Sequence, residues 1–298
     1  MLRASWVSTV GNALLSLLKL IIGFVTGSLA VIGDGIDSAT DVVVSIVMIC
    51  AARIVSRPPD RKHVYGYEKA EGIASKILSF VIFYAGIQML VSSVQATFAG
   101  EPRPMPEIWA IYVTVFSIFG KLALSFYQFR EGKRINSQML TANAKNMRND
   151  VLISCGVLVG LFFTFKLQMP ILDAITGILI SLFIIKTAIS IFLDSNAELM
   201  DSVDDTAVYD LVFEAVDATI GAKNPHRVRI RTKGGSYLIS LDIEANGECS
   251  LRQAHEIASK VEENIRQRIE NVYDIRVHVE PEGTVHCDEK FGIERKNV

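Results

Sequence analysis

The sequence predicts an α-helical membrane domain of six transmembrane helices followed by a smaller α+β domain whose elements run α-β-β-α-β. Three observations carry this expectation. Half of the 298 residues are apolar and the mean hydropathy is positive, at +0.33, which suits a membrane protein with a soluble part. Six apolar stretches each approach the roughly 20 residues that a helix needs to cross a bilayer. From about Val203 onward the pattern changes to short alternating and amphipathic segments.

The first span, 7–29, reads VSTVGNALLSLLKLIIGFVTGSL, and Thr26-Gly27-Ser28 turns it tightly into the second, 31–55. The third, 71–98, follows the polar loop RPPDRKHVYGYEK. Pro102, Pro104 and Pro106 separate it from the fourth, 108–129. The segment REGKRINSQ precedes the fifth, 143–166, and Gln168-Met169-Pro170 breaks the chain before the sixth, 171–194. The first stretch is too long for the apolar region of a cleavable signal peptide and lacks a clear cleavage site.

Basic residues set the expected orientation. Arg53, Arg57, Arg61, Lys62 and Lys69 flank the second-to-third connection, and Arg130, Lys133 and Arg134 the fourth-to-fifth. The other three connections hold only Arg103 and Lys166. The positive-inside rule places the rich loops in the cytoplasm, and six spans then leave both termini there.

In the second domain AVYDLVFEAVDATI has helical periodicity. HRVRIRTKGG and SYLISLDIEA alternate as strands joined through Gly234-Gly235. SLRQAHEIASKVEENIRQRI is amphipathic, with Ser250 placed to cap it, and VYDIRVHVEP is a last strand. The helices are expected on one face of a three-stranded sheet. The expected division is 1–202 for the membrane domain, 203–285 for the α+β domain and 286–298 for a loose polar tail.

Two spacings inside the apolar helices point to chemistry. Asp37-x-x-x-Asp41 and Asn146-x-x-x-Asp150 each put two polar side chains on one helix face, a turn apart. Together they can present three carboxylates and one amide to a single point. Such a cluster is unstable in a bilayer without a positive partner, and intramembrane ionisable groups commonly mark an ion or proton pathway. The expectation is a divalent-cation transporter. Asp34, between Gly33 and Gly35, reads as a cap, a surface residue or a further ligand, and Asn149 as a hydrogen bonder in helix packing.

Other classes fit less well. A net charge of −2 gives no footprint for nucleic acid. The four cysteines form no Cys-x-x-Cys pair and imply no disulfide framework. An intramembrane aspartyl hydrolase needs two carboxylates sharing a proton, without a surplus. A non-transporting metal-binding scaffold need not keep the membrane quartet.

In their order along the chain, the six spans, GDGIDSATD in the second, YGYEKAE opening the third, the NxxxD of the fifth, LMDS after the sixth and the αββαβ domain resemble the cation diffusion facilitators. The resemblance covers nearly the whole chain. It implies a dimeric, usually proton-coupled exporter of divalent transition metals, with a cytoplasmic domain of metallochaperone, ferredoxin-like type. The implied partners are a second copy, the bilayer, divalent cations and protons. The implied place is a plasma membrane, with metal as substrate and possible regulatory ligand and no other cofactor.

The same resemblance assigns the transport site to Asp37, Asp41, Asn146 and Asp150. Asn146 stands where many zinc-transporting members have His. Zn²⁺ favours nitrogen and sulfur, whereas an all-oxygen set suits Mn²⁺, with Fe²⁺ next and Zn²⁺ still open. A second family site would fall on Asp60 and His63, with Tyr67 where a third ligand can occur; a solvated basic loop is the competing reading. Lys69 and Asp201 match a cross-subunit ion pair. His226, His255 and His278 match cytoplasmic metal positions, with Asp242 where His is common and Glu280 where Asp is common. His286 and Cys287 in the tail offer further ligand atoms.

Overall fold

The computed structural model describes residues 2–67, 69–98, 104–134, 138–203, 205–233, 236–284 and 292–294. It divides into two compact units, Met1–Asn196 and Ala197–Val298. The division falls six residues before the expected boundary at 202/203, inside the last turn of the sixth helix. Gly234-Gly235, His286 and Cys287 lie outside the described residues.

The first unit consists of α1 (Leu2–Thr26), α2 (Leu29–Val55), α3 (Lys69–Phe98), α4 (Trp109–Arg134), α5 (Gln138–Leu167) and α6 (Ile171–Leu199). All six are long and apolar enough to cross a membrane. Several exceed their apolar stretches because nothing breaks the helix where the polar flank begins. α4 continues through Glu131 to Arg134, and α6 through Asp194 to Leu199. Between α1 and α2 the chain turns on Gly27 at φ +68°, a left-handed conformation that glycine adopts without penalty.

α1, α2, α4 and α5 pack against one another, and α3 packs on α2. α3 and α6 meet where Gly86 lies against Ile184 and Ile185. Outward positions are large and apolar, such as Phe24, Phe116, Phe119, Phe126 and Leu152. The interior holds Ser16, Lys19, Ser38, Lys121, Gln128 and Ser154. That inversion of the soluble pattern is what hydrocarbon as solvent selects: polar groups must find partners inside.

One such partnership crosses from α6 to α2. The Asp173 carboxylate accepts hydrogen bonds from Ser28 Oγ at 2.6 Å, Leu29 N at 2.7 Å and Ala30 N at 3.4 Å. It satisfies N–H groups left open in the first turn of α2 and sits at the positive end of the helix dipole.

The second unit runs α7 (Ala207–Asp217), β1 (Lys223–Lys233), β2 (Ser236–Ala245), α8 (Leu251–Arg268) and β3 (Val272–Pro281). The sheet order is β1-β2-β3, with the first pair antiparallel and the second parallel. α8 supplies the crossover that a parallel pair requires. Period-two alternation sorts the strands: Ile239, Leu241, Ile243 and Ile275 enter a core with Val212, Phe213, Val261 and Ile265 of the helices. Asp242, Glu244 and Glu280 therefore fall on the other face of the sheet.

Ser250 caps α8 as expected, accepting from Gln253 N, while the Gln253 side chain accepts from Ser250 N. Ser250→Ala removes half of this box. It is expected to cost about 1 kcal/mol, read as a lowered thermal midpoint of the second unit with transport unchanged. Within the segment expected to be a loose tail, Ile293 forms an antiparallel bridge with Val228 on β1, with N–H···O distances of 2.9 and 3.1 Å.

Candidate metal centre

α1, α2 and α5 enclose a cavity of roughly 110 Å³ whose wall includes Asn12, Asp41, Asn143, Asn146 and Asp150. Asp41 and Asp150 come from different helices, yet their carboxyl groups are close enough to interact directly. The four-residue spacing brings Asn146 onto the same wall as Asp150. Asn12 Oδ1, Asp41 Oδ2 and Asp150 Oδ2 are buried without a hydrogen-bond partner among the described residues. Buried oxygens left open in this way are costly unless a cation or water meets them.

Asp37 is buried one turn before Asp41 on α2 and is not part of this cavity wall. Asp34 has a partner of its own: Lys19 Nζ lies 2.8 Å from it, and both side chains are fully buried. Ser154 Oγ donates to Asp34 at 2.8 Å, and Lys19 also donates to Ser154 at 3.0 Å and Ser38 at 3.3 Å. Asp34 is thus committed to an ion pair and is neither a cap nor a cavity ligand. Asn149, expected to pack, is exposed.

A second lysine was not singled out from the sequence. Lys121 of α4 is fully buried, with Nζ 3.2 Å from Asp150 Oδ2. The signal was present, since Lys19 and Lys121 are ionisable residues in the middle of apolar spans.

The α2–α3 loop forms a local turn. Asp60 accepts from Lys62 N at 2.8 Å, His63 N at 2.7 Å and Tyr67 Oη at 2.6 Å. The Tyr67 hydroxyl, followed by the two N–H groups, holds the Asp60 carboxyl down at about 2, and the same bond pushes the Tyr67 phenol up. Asp60 and His63 are brought together, at 3.3 Å, but both are about half exposed. Tyr67 closes the turn as a donor to Asp60.

In the second unit, strand register sets His226, Asp242 and His278 abreast on β1, β2 and β3. His226, Asp242 and Glu280 are buried with ligand atoms within 4.8 Å of one another. His226 Nδ1 faces the Asn224 carbonyl at 2.8 Å, which makes Nδ1 the donor and leaves Nε2 toward Glu280, at 3.4 Å. His278 Nε2 is 3.3 Å from Glu280 but the side chain is largely exposed. His255, on α8, is exposed and does not join this group. Asp242 is held by Arg227 Nη1 at 2.8 Å, an ion pair that the sequence did not suggest. Asp201 lies 3.9 Å from Arg231, and Lys69 opens α3.

Residues 5–200 match the model of the cation efflux transmembrane domain, and residues 205–282 that of the cation efflux protein cytoplasmic domain. The chain is 30% identical over 277 residues to the manganese efflux system protein MneS of Bacillus subtilis, covering 92% of this chain and 93% of that one. It is 33% identical over 276 residues to an uncharacterized transporter of Methanocaldococcus jannaschii, covering 92% and 95%. The metal-bound C-terminal domain of the CzcD transporter from Thermotoga maritima is 39% identical, covering 26% of this chain and 92% of that domain, at a TM-score of 0.26.

Proposed function

Since the chain belongs to the cation diffusion facilitator family, a multi-pass membrane transporter of divalent cations and not an enzyme, we propose that it exports Mn²⁺, and after it Fe²⁺, from the cytoplasm in exchange for protons. The observation that carries this reading is the pair of buried oxygens without a hydrogen bond among the described residues, on Asn12 and Asp41, that share one cavity with the Asp150 carboxylate. With the Asn146 amide beside them, the cavity wall offers oxygen donors and the Met147 thioether, and no imidazole or thiolate among the described residues. Hard oxygen sets suit Mn²⁺ better than Zn²⁺. The name of the Bacillus subtilis relative points the same way.

Moving a divalent ion outward against an inside-negative potential costs about 2.3 kcal/mol per charge per 100 mV. Inward proton movement offsets this cost. Carboxylates bind metal only when deprotonated, so Asp41 and Asp37 release protons as the ion enters and regain them when it leaves, while Asp150 stays charged beside Lys121. Alternating access then needs only a rocking of helices around the site. The working unit is a homodimer in the plasma membrane with both termini in the cytoplasm, and Lys69 and Asp201 pair across its subunits. His226, Asp242 and Glu280, assisted by His278, hold a regulatory ion that biases how the cytoplasmic domains sit.

The test is uptake of Mn²⁺, Fe²⁺ and Zn²⁺ into proteoliposomes with an imposed pH gradient. Mn²⁺ or Fe²⁺ flux above Zn²⁺, falling when the gradient is collapsed, is the expected result. Zn²⁺ flux equal or greater would leave an exporter in which Asn146 does not set selectivity. Flux indifferent to the gradient would remove the proton coupling.

A further inference from the structure

The two buried lysines are held in different ways. Lys19 has the Asp34 carboxylate and two serine hydroxyls, all within 3.3 Å. Lys121 has one carboxylate within 4 Å among the described residues, Asp150 at 3.2 Å, with the charges of Asp37 and Asp41 farther off, and its Nζ has no hydroxyl or carbonyl acceptor there. An ammonium group carries three donors, so a fully buried one whose sole close acceptor is a single carboxylate is poorly satisfied. It lies against a carboxylate that lines the polar cavity, and the facing Asp150 oxygen also has no hydrogen bond. The contact is a charge pairing that a second cation can replace.

The charge balance fits that view. The seam between α1, α2, α4 and α5 contains the carboxylates of Asp34, Asp37, Asp41 and Asp150 and the ammonium groups of Lys19 and Lys121. When all are charged, two negative charges remain uncompensated, which is the charge of one divalent cation.

We propose that Lys121 is a tethered counter-cation of the cargo site: it holds Asp150 while the cavity is empty, and it weakens the binding of the incoming ion enough for that ion to leave. The proposal rests on the reading of Asp41, Asn146 and Asp150 as the cargo site. Lys121 touches Asp150 and not the ion, so it acts as a positioning residue and sets affinity by its fixed charge. Without it the seam has three uncompensated negative charges, and a divalent ion is bound tightly and released slowly.

The experiment is equilibrium Mn²⁺ binding to the full chain in lipid nanodiscs, with Mn²⁺ transport kinetics in proteoliposomes, for the parent chain, Lys121→Gln, Lys121→Arg and Asp41→Ala. Lys121→Gln is expected to bind Mn²⁺ about ten-fold tighter or more, because a like charge a few ångströms from the ion has gone. Its KM falls together with its maximal rate, while Lys121→Arg, which keeps the charge, stays near the parent. Unchanged or weaker binding by Lys121→Gln, with one Mn²⁺ per chain lost in Asp41→Ala, would overturn the role of Lys121 alone. A Mn²⁺ stoichiometry in Asp41→Ala equal to that of the parent would overturn the cargo site and the role of Lys121 with it.

Should Lys121→Gln fail to fold, the parent chain labelled with ¹⁵N-lysine supplies the readout. The Nζ resonance absent from Lys121→Arg is expected to move when Zn²⁺ is added at a concentration that displaces bound Mn²⁺. A resonance that stays in place would overturn the proposal.

Discussion

Asp41→Ala is expected to reduce Mn²⁺ flux by at least about 100-fold while leaving the chain folded. Even groups one layer removed from a metal are worth about 10–100-fold in affinity or activity, and Asp41 is proposed as a direct ligand. It lines the cavity, one of its oxygens is buried without a hydrogen bond among the described residues, and no lysine of theirs lies within 4 Å of it. Truncation therefore removes a ligand and a buried negative charge without stranding a positive one. Asp150→Ala is expected to lose transport to the same degree but also to lower stability, because Lys121 Nζ then has no carboxylate within 4 Å among the described residues. Flux into proteoliposomes, with size-exclusion profiles of both variants, separates the two effects. Flux within a few-fold of the parent in Asp41→Ala would remove this residue from the site.

The second large effect is on folding. Lys19→Met strands Asp34 in a site where both side chains are fully buried, and breaking a buried pair from one side typically costs about 3–5 kcal/mol. Replacing both partners with apolar groups of similar size is often nearly neutral. Lys19→Met/Asp34→Leu should therefore recover most of the stability lost by Lys19→Met alone. A double-mutant cycle on unfolding in lipid or detergent measures this. A single variant within about 1 kcal/mol of the parent would mean that water or a proton compensates Asp34, and that the pair does not hold α1 to α2 as its geometry implies.

Much of the architecture was legible because each part rests on a local rule. Length and apolarity mark the six spans, and Gly27 and Pro170 mark two of the turns between them. Alternation in SYLISLDIEA separates the core face of β2 from the face that carries Asp242. Helical spacing put Asp37 with Asp41 and Asn146 with Asp150, and the structure places Asp41, Asn146 and Asp150 around one cavity. Spacing alone did not distinguish Asp37, which is buried behind that wall. Nor did it tell Asp34 from its neighbours, because what separates them is Lys19 arriving from another helix. Lys121 was as visible in the sequence as any aspartate, but a cation in a span has no address until helices are assembled around it. In the second unit, three histidines looked alike along the chain, whereas strand register sets His226 and His278 in one row across the sheet and leaves His255 on a helix. Arg227 at φ +49°, beside a bulge in β1, reaches Asp242 through a local irregularity that alternation does not reveal.

The bonds from Asp173 to Ser28, Leu29 and Ala30 make the start of α2 a fulcrum. A rod pinned at one end sweeps further with distance from the pin. At 1.5 Å per residue, Asp41 stands about 18 Å from Leu29 and Val55 about 39 Å. A tilt of about ten degrees about that fulcrum would carry Asp41 by about 3 Å and the far end of the helix by about 7 Å. A displacement of that size exceeds a metal–oxygen bond of about 2.0–2.6 Å. A small swing of one lever arm is thus enough to take Asp41 off an ion that Asp150 still holds, while its tip travels more than twice as far.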